Sequence, residues 1–426
     1  MDQQAIGAIV LFLLTYAFIV AEKIHRTIIA MTGAVLVVIL GLVDQETAIH
    51  HIDFNTLGLL IGMMIIVSIT AETGLFSFIA IKAAKGAKGD PVRILLLLAV
   101  ITAFGSAFLD NVTTVLLMVP VTFSITRQLK VPPVPFLIAQ IISANVGGTA
   151  TLIGDPPNIM IGSAVKELTF MAFLTNLAPI IIVIQLLLLP IFVFLFRKQI
   201  ATTDERKAKL MAMDEKSELG DRSLLTKCLV VMGLTILGFF LHQTFHLESA
   251  TVALAGAFLL LLLTGEKWME HALHKVEWPT IFFFVGLFVL VAGLVETGVI
   301  SRLATEAIEL TGGNVTSSAL LILWLSALAS AFLDNIPFVA TMIPMIQEMG
   351  NQGIQNLEPL WWSLALGACL GGNGTLIGAS ANLIVAGLSG KEGHPISFVQ
   401  YLKIGFVVML FTVVVANIYL YLRYLL

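Results

Sequence analysis

A six-residue segment, Ser-Ala-Phe-Leu-Asp-Asn, occurs twice in this chain of 426 residues, at 106–111 and unchanged at 330–335, an offset of 224 residues. The same offset relates Glu-Thr-Gly at 72–74 to Glu-Thr-Gly at 296–298, and Thr-Leu-Ile-Gly at 151–154 to its copy at 375–378. Chance similarity between apolar segments would not keep Asp, Asn and Gly in register. We therefore predict an internal duplication.

The composition places this duplicated chain in a lipid bilayer. Hydrophobic residues make up 58% of the chain and charged residues 12%, and the mean hydropathy is +0.99. That is more apolar surface than a soluble core can absorb. No Lys or Arg precedes the first apolar run and no cleavage site follows it, so we expect a spanning helix there rather than a signal peptide. Spanning runs are predicted at about 4–21, 27–43, 56–80, 135–163, 170–196, 224–242, 248–264, 280–300, 359–388 and 401–422.

Two further apolar stretches, 92–126 and 317–347, are each interrupted near the middle by Asp-Asn. We predict that each is a re-entrant hairpin, which enters the membrane and returns to the same side. With ten crossings and two hairpins, one side receives 20 of the 23 Lys and Arg residues, and the other receives only Lys166, Arg302 and Arg423. By the positive-inside rule the first side is the cytoplasm. Both chain ends are then expected outside, most simply in a bacterial inner membrane.

The polar segment 197–223 is the one predicted linker, and it divides the chain into a first repeat at 1–196 and a second repeat at 224–426. Each repeat holds five crossings, one of them a broken helix at about 135–163 or 359–388, and one hairpin. Because five is odd, the second repeat starts on the opposite side of the membrane, so the repeats are expected to be inverted. This all-α architecture is typical of secondary transporters, which bind substrate and coupling ions between the repeats.

The Asp-Asn pairs of the two hairpins are the first candidates for an ion site. Asp110 and Asp334 are expected at the hairpin tips, deep in the bilayer, where a carboxylate is costly and usually marks an ion or proton pathway. A cap for the following helix is the structural alternative, since Asp is a good N-cap, and the two roles are compatible. Asn111, Thr113 and Asn335 add polar groups beside the carboxylates, and hard cations prefer several oxygen ligands.

Glycine-rich motifs interrupt two of the predicted spans, at 147–158 and 371–382. The first contains Gly-Asp-Pro-Pro-Asn, which breaks a helix more strongly than close helix packing, the structural alternative, would need. Broken backbone at membrane depth is tolerated where protein or water satisfies it, and the half-helix ends can then face ions. The ion-site candidates in these motifs are Gly148, Thr151, Asp155, Asn158, Gly372, Asn373, Thr375 and Asn382.

Asp155 is the clearest asymmetry between the repeats, because the matching residue of the second repeat is alanine. It is a candidate proton site or second ion site, and capping of the following half-helix is the alternative. Glu72 and Glu296 lie near helix ends, where a structural role is expected and a coupling role stays open. The pair His271 and His274 is two ligands short of a closed metal site, so no metal centre is predicted.

The tip and break motifs resemble those of the ion transporter superfamily, in the branch of the arsenite pump ArsB, the NhaD-type Na⁺/H⁺ antiporters and the melanosomal P protein. Its wider clan includes citrate and dicarboxylate transporters. Segments 108–114 and 332–337 resemble the two hairpin signatures, and 154–158 resembles the broken-helix signature. The resemblance covers essentially the whole chain. It implies a homodimer, in which a mobile transport domain of hairpins and broken helices moves as an elevator against a fixed scaffold.

The tips differ from those of the dicarboxylate members, which carry Ser-Asn-Thr where this chain has Asp-Asn-Val and Asp-Asn-Ile. Two tip carboxylates would repel a dianion unless cations were also bound. We therefore predict ion-coupled secondary transport, foremost Na⁺/H⁺ antiport. Export of arsenite or antimonite, or H⁺- or Na⁺-coupled transport of a small organic anion, stays open. The predicted Na⁺ ligands are Asp110, Asn111, Asn158, Asp334, Asn335 and Asn382.

Other classes fit the sequence less well. An intramembrane aspartyl protease could use two carboxylates, but the duplicated tip motifs argue against it and no enzymatic activity is expected. A purely structural protein would leave the buried charges without a purpose. The chain has no G-x-x-x-x-G-K-[ST] loop, so direct ATP drive is not expected, while a separate ATPase partner stays open. We predict no cofactor beyond the transported or coupling ions, and the net charge of −4 gives no reason to expect nucleic acid.

Overall fold

The computed structural model describes residues 3–21 and 23–426, and the regular secondary structure of these residues is helical throughout. Two short turns of other helical types, Glu215–Glu218 and Tyr421–Leu425, accompany the α-helices. In chain order the α-helices are α1 Gln3–Ala21, α2 Arg26–Ile39, α3 Gln45–His50, α4 Phe54–Ala71, α5 Leu75–Gly86, α6 Pro91–Phe108, α7 Asn111–Leu129, α8 Val134–Gly148, α9 Pro156–Ala164, α10 Phe170–Asn176, α11 Ala178–Phe196, α12 Asp204–Met211, α13 Arg222–Leu241, α14 Ser249–Thr264, α15 Glu266–Lys275, α16 Trp278–Glu296, α17 Val299–Thr311, α18 Val315–Phe332, α19 Asn335–Asn351, α20 Glu358–Gly371, α21 Ser380–Lys391 and α22 Phe398–Leu420.

Nine helices of the described chain are long and apolar enough to cross a membrane, which confirms a multi-pass membrane protein. They are α1, α4, α6, α7, α11, α13, α16, α18 and the helix that starts with α22. Three of them, α6, α7 and α18, are arms of the predicted hairpins, and α2, α8 and α14 are shorter apolar helices. Length alone therefore does not separate a crossing from a hairpin arm, and the number of crossings stays a prediction.

The helix order repeats with the sequence. Each of six helices in the first half has a counterpart that begins 224 residues later: α4 and α16, α5 and α17, α6 and α18, α7 and α19, α8 and α20, and α9 and α21. The breaks predicted inside 92–126, 317–347, 135–163 and 359–388 are all present. The duplicated sequence thus folds into a duplicated series of hairpin and broken helix.

The most extensive helix–helix contacts occur at equivalent places in the two halves, between α6 and α8 and between α18 and α20. A Cβ atom added to Gly147 would lie 2.0 Å from the carbonyl oxygen of Ala103, and one added to Gly371 would lie 2.5 Å from that of Ala327. Small residues allow such close approach of helices in membranes. These glycines therefore allow close helix packing, and the helix breaks follow directly after them.

Other helices pack across the halves in a reciprocal manner. Helix α2 of the first half lies along α16 of the second, and α4 lies along α14. At the helix starts the Thr27 hydroxyl donates to the carbonyl of Pro279 at 2.6 Å, and the backbone N–H of Ala250 donates to the Asn55 side chain at 2.9 Å. Within these pairs, α4 also contacts α9 and α16 also contacts α19, so each pair touches a hairpin or a broken helix.

The prediction of one span at 56–80 is wrong, because the chain turns between α4 and α5. Gly74 lies between them with a φ of 72°, a left-handed conformation that ends helices and favours glycine. The run 170–196 is likewise divided into α10 and α11 at Leu177, and α2 ends at Ile39, before the end of the predicted run 27–43. The residues around these turns are mostly apolar, so the hydropathy of the sequence did not reveal the turns.

The predicted linker 197–223 contains α12 and is packed against the first half. The Lys85 ammonium group donates to the Glu215 carboxylate at 2.5 Å, and the N–H of Gly220 donates to the carbonyl of Thr73 at 3.1 Å. The ammonium group holds the pKa of Glu215 below its ordinary value. The segment therefore has a defined place beside α5.

Candidate ion site

The hairpin tips are formed where α6 gives way to α7 and α18 to α19. Asp110 is the N-cap of α7: one carboxylate oxygen accepts from the Thr113 N–H at 2.8 Å, and the other accepts from the Thr113 hydroxyl. Asp334 caps α19 and accepts from the N–H of Ile336 at 3.2 Å. Both aspartates therefore have the predicted structural role. Both oxygens of Asp110 accept from Thr113, whereas the second oxygen of Asp334 pairs with Arg26.

The two broken helices are braced by asparagines. The Asn158 amide donates to the carbonyls of Thr149 and Thr151 at 3.1 and 2.9 Å, both in the break between α8 and α9. The Asn382 amide donates to the carbonyls of Gly372 and Thr375 at 2.7 and 2.9 Å, in the break between α20 and α21. These amides satisfy backbone groups that the breaks leave without helical partners.

Further contacts tie each break to the neighbouring hairpin. The Thr151 hydroxyl donates to the carbonyl of Ala107, and the Thr375 hydroxyl donates to that of Ala331 at 2.5 Å. Gly148 lies so close to the far side of its break that an added Cβ would be 2.6 Å from the carbonyl oxygen of Gly154. The equivalent distance for Gly372 is 3.2 Å, to the carbonyl oxygen of Gly378.

Asn145, which the sequence analysis did not single out, connects the halves. Its amide donates to the side-chain oxygens of Asn373 at 3.0 Å and Asn382 at 2.9 Å, and its own oxygen accepts from Asn111 at 3.2 Å. At the position 224 residues later stands Cys369, whose thiol donates to the Asn158 oxygen at 3.6 Å. The side-chain oxygens of Asn158 and Asn382, predicted as Na⁺ ligands, therefore already accept hydrogen bonds within the protein.

An inner cavity of about 30 Å³ lies between the two hairpin tips. Four of the predicted site residues line it together: Asp110, Asn111, Asp155 and Asn335. The other polar residues of its wall are Arg26, Glu277, Thr280 and Ser380. The remaining predicted residues of the breaks, Gly148, Thr151, Asn158, Gly372, Asn373, Thr375 and Asn382, lie outside this lining and shape the breaks instead.

Asp155 is the most unusual group in the inner cavity. The residue is 1% exposed, and neither carboxylate oxygen makes a hydrogen bond of normal geometry within residues 3–21 and 23–426, although the Cys369 thiol and the Asn335 side chain lie next to it. Although Asp155 precedes α9, it makes no capping hydrogen bond, so the predicted alternative of a helix cap is wrong. A buried carboxylate without a partner is costly unless a ligand or a proton satisfies it.

Two charged residues of the cavity wall, Arg26 and Glu277, were not among the predicted site residues. Arg26 forms an ion pair with Asp334 and donates to the Ser380 hydroxyl at 2.8 Å. Both residues lie at the start of apolar runs, where charged residues usually belong to loops at the membrane surface. The signal that could have found Arg26 is the repeat itself, since the matching helix α14 starts with Ser249 where α2 starts with an arginine.

The repeated glutamates lie away from the cavity, in agreement with a structural role. His271 of α15 contacts the Glu72 carboxylate at 3.1 Å, and His51 beside α3 contacts the Glu296 carboxylate at 2.9 Å. Each pair joins a short helix of one half to a long helix of the other half. His271 is thus engaged with a carboxylate at the end of α4.

Multiple apolar helices, two hairpins and two broken helices around a buried acidic cavity define a multi-pass membrane transporter. The family model described as "Citrate transporter" (CitMHS) matches residues 16–367. The chain therefore belongs to the CitMHS citrate transporter family, within the ion transporter superfamily.

Relatives of this chain include bacterial and animal proteins. An uncharacterized transporter of Mycobacterium bovis is 42% identical over 428 residues, which cover 99% of each chain. The P protein of Mus musculus is 34% identical over 98% of this chain and 60% of its own length. The solved structure of the YdaH transporter of Alcanivorax borkumensis shares the fold with a TM-score of 0.61 over 98% of each chain, at 13% identity.

Proposed function

We propose that this transporter exchanges a small cation, foremost Na⁺, for protons at the inner cavity. The observation that carries the proposal is the charge of the wall. Among the described residues that line the cavity, Asp110, Asp155 and Glu277 are carboxylates, and Arg26 is the cationic group. Within the described part of the chain, no cationic side chain pairs with Asp155, and its two oxygens make no hydrogen bond of normal geometry. Such a wall favours a cation over a citrate-like anion, because like charges repel strongly where solvent is scarce.

The size of the cavity supports the same choice. One water needs roughly 10–15 Å³ of such space, so a cavity of about 30 Å³ accepts an ion with little or no hydration. Pockets for larger organic ligands run to hundreds of Å³. The oxygens of Asp110, Asn111, Asp155 and Asn335 supply the hard ligands that a small cation prefers.

Competition for the same carboxylates gives the exchange. Asp110 and Asp155 can each be neutralised by a bound proton or by a nearby Na⁺, and a charge left unneutralised at this depth is costly. The site is therefore stable while it holds either ion and unstable while it holds neither. Movement of the loaded site in both directions then exchanges one ion for the other.

For the overall architecture we propose what the resemblance to the ion transporter superfamily implies. The repeats would be inverted, the hairpins with the broken helices would move as an elevator, and the protein would act as a homodimer. Reciprocal packing of α2 with α16 and of α4 with α14 supports an inverted relation. The bacterial relatives and the distribution of Lys and Arg favour a cell membrane with both chain ends outside.

Transport of an organic anion is the second candidate, since the family description names citrate. A separate cavity of about 300 Å³, lined by Arg26 and Asp334, has room for one. The ion pair between these residues leaves little positive charge for it. If arsenite were bound through a thiol, Cys369 would be the candidate near a break, and it is 1% exposed and bonded to Asn158. Full arsenite export by Cys369→Ser would exclude a thiolate contact.

The test uses purified protein in liposomes that contain a pH-sensitive dye. A proton gradient is imposed, and Na⁺, Li⁺, K⁺, citrate or arsenite is added in turn. The proposal predicts that Na⁺ or Li⁺ collapses the gradient and that citrate and arsenite do not. No response to any cation, with a response to citrate, would replace cation exchange by anion transport.

A further inference from the structure

The contact between Arg26, Asp334 and Ser380 stands between two cavities. The larger cavity, here called the vestibule, has a volume of about 300 Å³ and is lined by the exposed residues Ile24 and His25 as well as by all three contact residues. The inner cavity also has Arg26 and Ser380 in its wall. A solute that moves from the vestibule to the inner cavity therefore meets this contact.

The contact is a closed triangle of polar groups. One guanidinium nitrogen of Arg26 donates both to the Asp334 carboxylate and to the Ser380 hydroxyl, and the hydroxyl lies 3.4 Å from the same carboxylate oxygen. The side chains of Arg26 and Asp334 are 28% and 14% exposed. At this burial, loss of the guanidinium leaves Asp334 without compensation unless another cation takes its place.

Arg26 is also held by an aromatic ring and by the attachment of its helix. Its guanidinium lies over the Phe283 ring at 4.9 Å, a favourable cation–π distance. The next residue, Thr27, is bonded to Pro279, so that the start of α2 is attached to α16. Asp334 belongs to the second hairpin and Ser380 begins α21. The triangle therefore connects the α2–α16 pair to the hairpin and broken helix of the second half.

Only one of the two tips has such a partner in the sequence. Gly62 packs against Ala253 of α14 as Gly286 packs against Ala30 of α2, which gives an offset of 223 residues between α2 and α14. The repeat equivalent of Arg26 is therefore Ser249, so no arginine stands at the corresponding place for Asp110. An arginine side chain stays charged at every relevant pH. The duplication therefore provides two tip aspartates, and one of them, Asp334, is paired with an arginine of the same chain.

We propose that Arg26 is a tethered counter-cation, which closes the inner cavity and occupies Asp334 until a transported cation displaces it. This inference rests on the proposed cation exchange and adds a residue that sets its specificity. A cation that arrives from the vestibule supplies the charge that Asp334 loses when the guanidinium leaves. A neutral solute supplies no such charge, and an anion is repelled by Asp334, so the barrier stays closed to both.

The closure is tested without any substrate. Thr280 is half-buried, lines the inner cavity and is absent from the vestibule wall, so a change in the labelling rate of Thr280→Cys reports a change in access. Both native cysteines are buried, and the parent chain supplies the background labelling rate. Arg26→Gln should raise the labelling rate of Thr280→Cys by a small thiol reagent about tenfold, the effect of a loss of about 1.4 kcal/mol in closure. Arg26→Lys, which keeps the charge, should restore much of the protection.

Two variants complete the accessibility test. Leu383→Cys lies in the vestibule wall and should label at the same rate whether or not Arg26→Gln is also present. Asp334→Asn removes the acidic partner of the ion pair, so it should open the barrier as Arg26→Gln does. It therefore tests the barrier independently if Arg26→Gln folds poorly. Equal labelling of Thr280→Cys in all of these backgrounds overturns the inference.

The displacement is tested by equilibrium binding of radioactive Na⁺ to the detergent-purified protein. The Arg26→Gln protein should bind Na⁺ more tightly than the wild type, because the guanidinium no longer competes for Asp334. In an Asp334→Asn background, the same substitution should leave Na⁺ binding unchanged. Arg302→Gln, which removes an exposed arginine paired with Glu306 on its own helix, is the control and should change nothing. Unchanged or weaker binding by Arg26→Gln overturns the displacement.

The two experiments separate this inference from the proposed function. If the wild type binds Na⁺ but labelling does not respond to Arg26→Gln, cation exchange stands and the counter-cation fails. If the wild type binds no Na⁺ but Arg26→Gln still opens the cavity, the barrier stands, while the cation-displacement role falls together with the proposed function.

Discussion

The two hairpin tips carry the same six residues but lie in different electrostatic surroundings. Asp334 faces the guanidinium of Arg26 and the hydroxyl of Ser380. Asp110 is held by Thr113 and faces the inner cavity beside Asp155. The repeated segment fixes the backbone of each tip, whereas unrepeated residues elsewhere decide what each carboxylate meets. Identical tip segments thus have different partners: Asp334 is neutralised by Arg26, whereas Asp110, here called the free tip, pairs with no cation in the described part of the chain.

The largest effect is expected at the free tip. Asp110→Asn should reduce Na⁺-driven proton flux by about 100-fold or more, to the level of empty liposomes, because an amide cannot take up and release a proton or neutralise Na⁺. Asparagine caps helices well, so the fold should persist. Asp90→Asn, at the cap of α6 where Asp90 accepts from the Arg93 N–H at 2.9 Å, is the matched control. Normal flux in Asp110→Asn would remove the free tip from the mechanism.

Asp155 should show opposite effects on transport and on stability. Asp155→Ala, which copies the alanine of the second repeat, should lower the apparent Na⁺ affinity about tenfold. Its melting temperature without Na⁺ should stay equal or rise, because the removed carboxylate has no hydrogen-bond partner. Asp53→Ala provides the contrast, since Asp53 caps α4 and accepts from Ser163 at 2.8 Å, and it should destabilise. A large loss of stability in Asp155→Ala would contradict the view of Asp155 as an ion ligand.

The equivalent positions 145 and 369 offer a smaller contrast. Asn145→Ala should destabilise by about 1–3 kcal/mol, because it leaves the buried amides of Asn111, Asn373 and Asn382 with unmade hydrogen bonds. Cys369→Ala should cost less, since a thiol at 3.6 Å is a weak donor. Thermal unfolding in detergent measures both. Equal losses would indicate that the halves are joined as strongly through Cys369 as through Asn145.

The smallest effects are expected at the His–Glu pairs outside the cavity. The carboxylates of Glu72 and Glu296 are 42% and 43% exposed, and ion pairs this exposed contribute about 0–1 kcal/mol. Glu72→Gln and Glu296→Gln should therefore leave transport at its wild-type rate and shift the melting temperature little. Loss of proton coupling in either variant would show that the repeated glutamates belong to the transport mechanism.

The sequence was sufficient for the elements that repeat. Asp-Asn at both tips and Gly-Asp-Pro-Pro-Asn in the first break interrupt apolar runs in register, and the helices end and begin there. The turn at Gly74 was missed because apolar residues flank it and hydropathy does not register a single left-handed residue. Repetition and composition thus located the tips and breaks better than the ordinary turns.

The site could be predicted only in part, because contacts between distant elements decide it. Arg26 and Asp334 are 308 residues apart in the chain, and neither carries a local signal of the other. Asn158 and Asn382 look like cation ligands in sequence, yet their oxygens accept hydrogen bonds from Cys369 and Asn145. Residue type and depth indicate a candidate, whereas the three-dimensional partners show whether its oxygens are free.

The measurement that most directly tests cation exchange at the free tip is the release of protons when Na⁺ binds. Na⁺ is added to purified protein in weakly buffered detergent solution, and the pH is recorded for the wild type and for Asp110→Asn. The account predicts proton release by the wild type, and a greatly reduced release by the variant. An unchanged pH on addition of Na⁺, together with proton uptake on addition of citrate, would contradict the account and assign the cavity to anion-coupled transport.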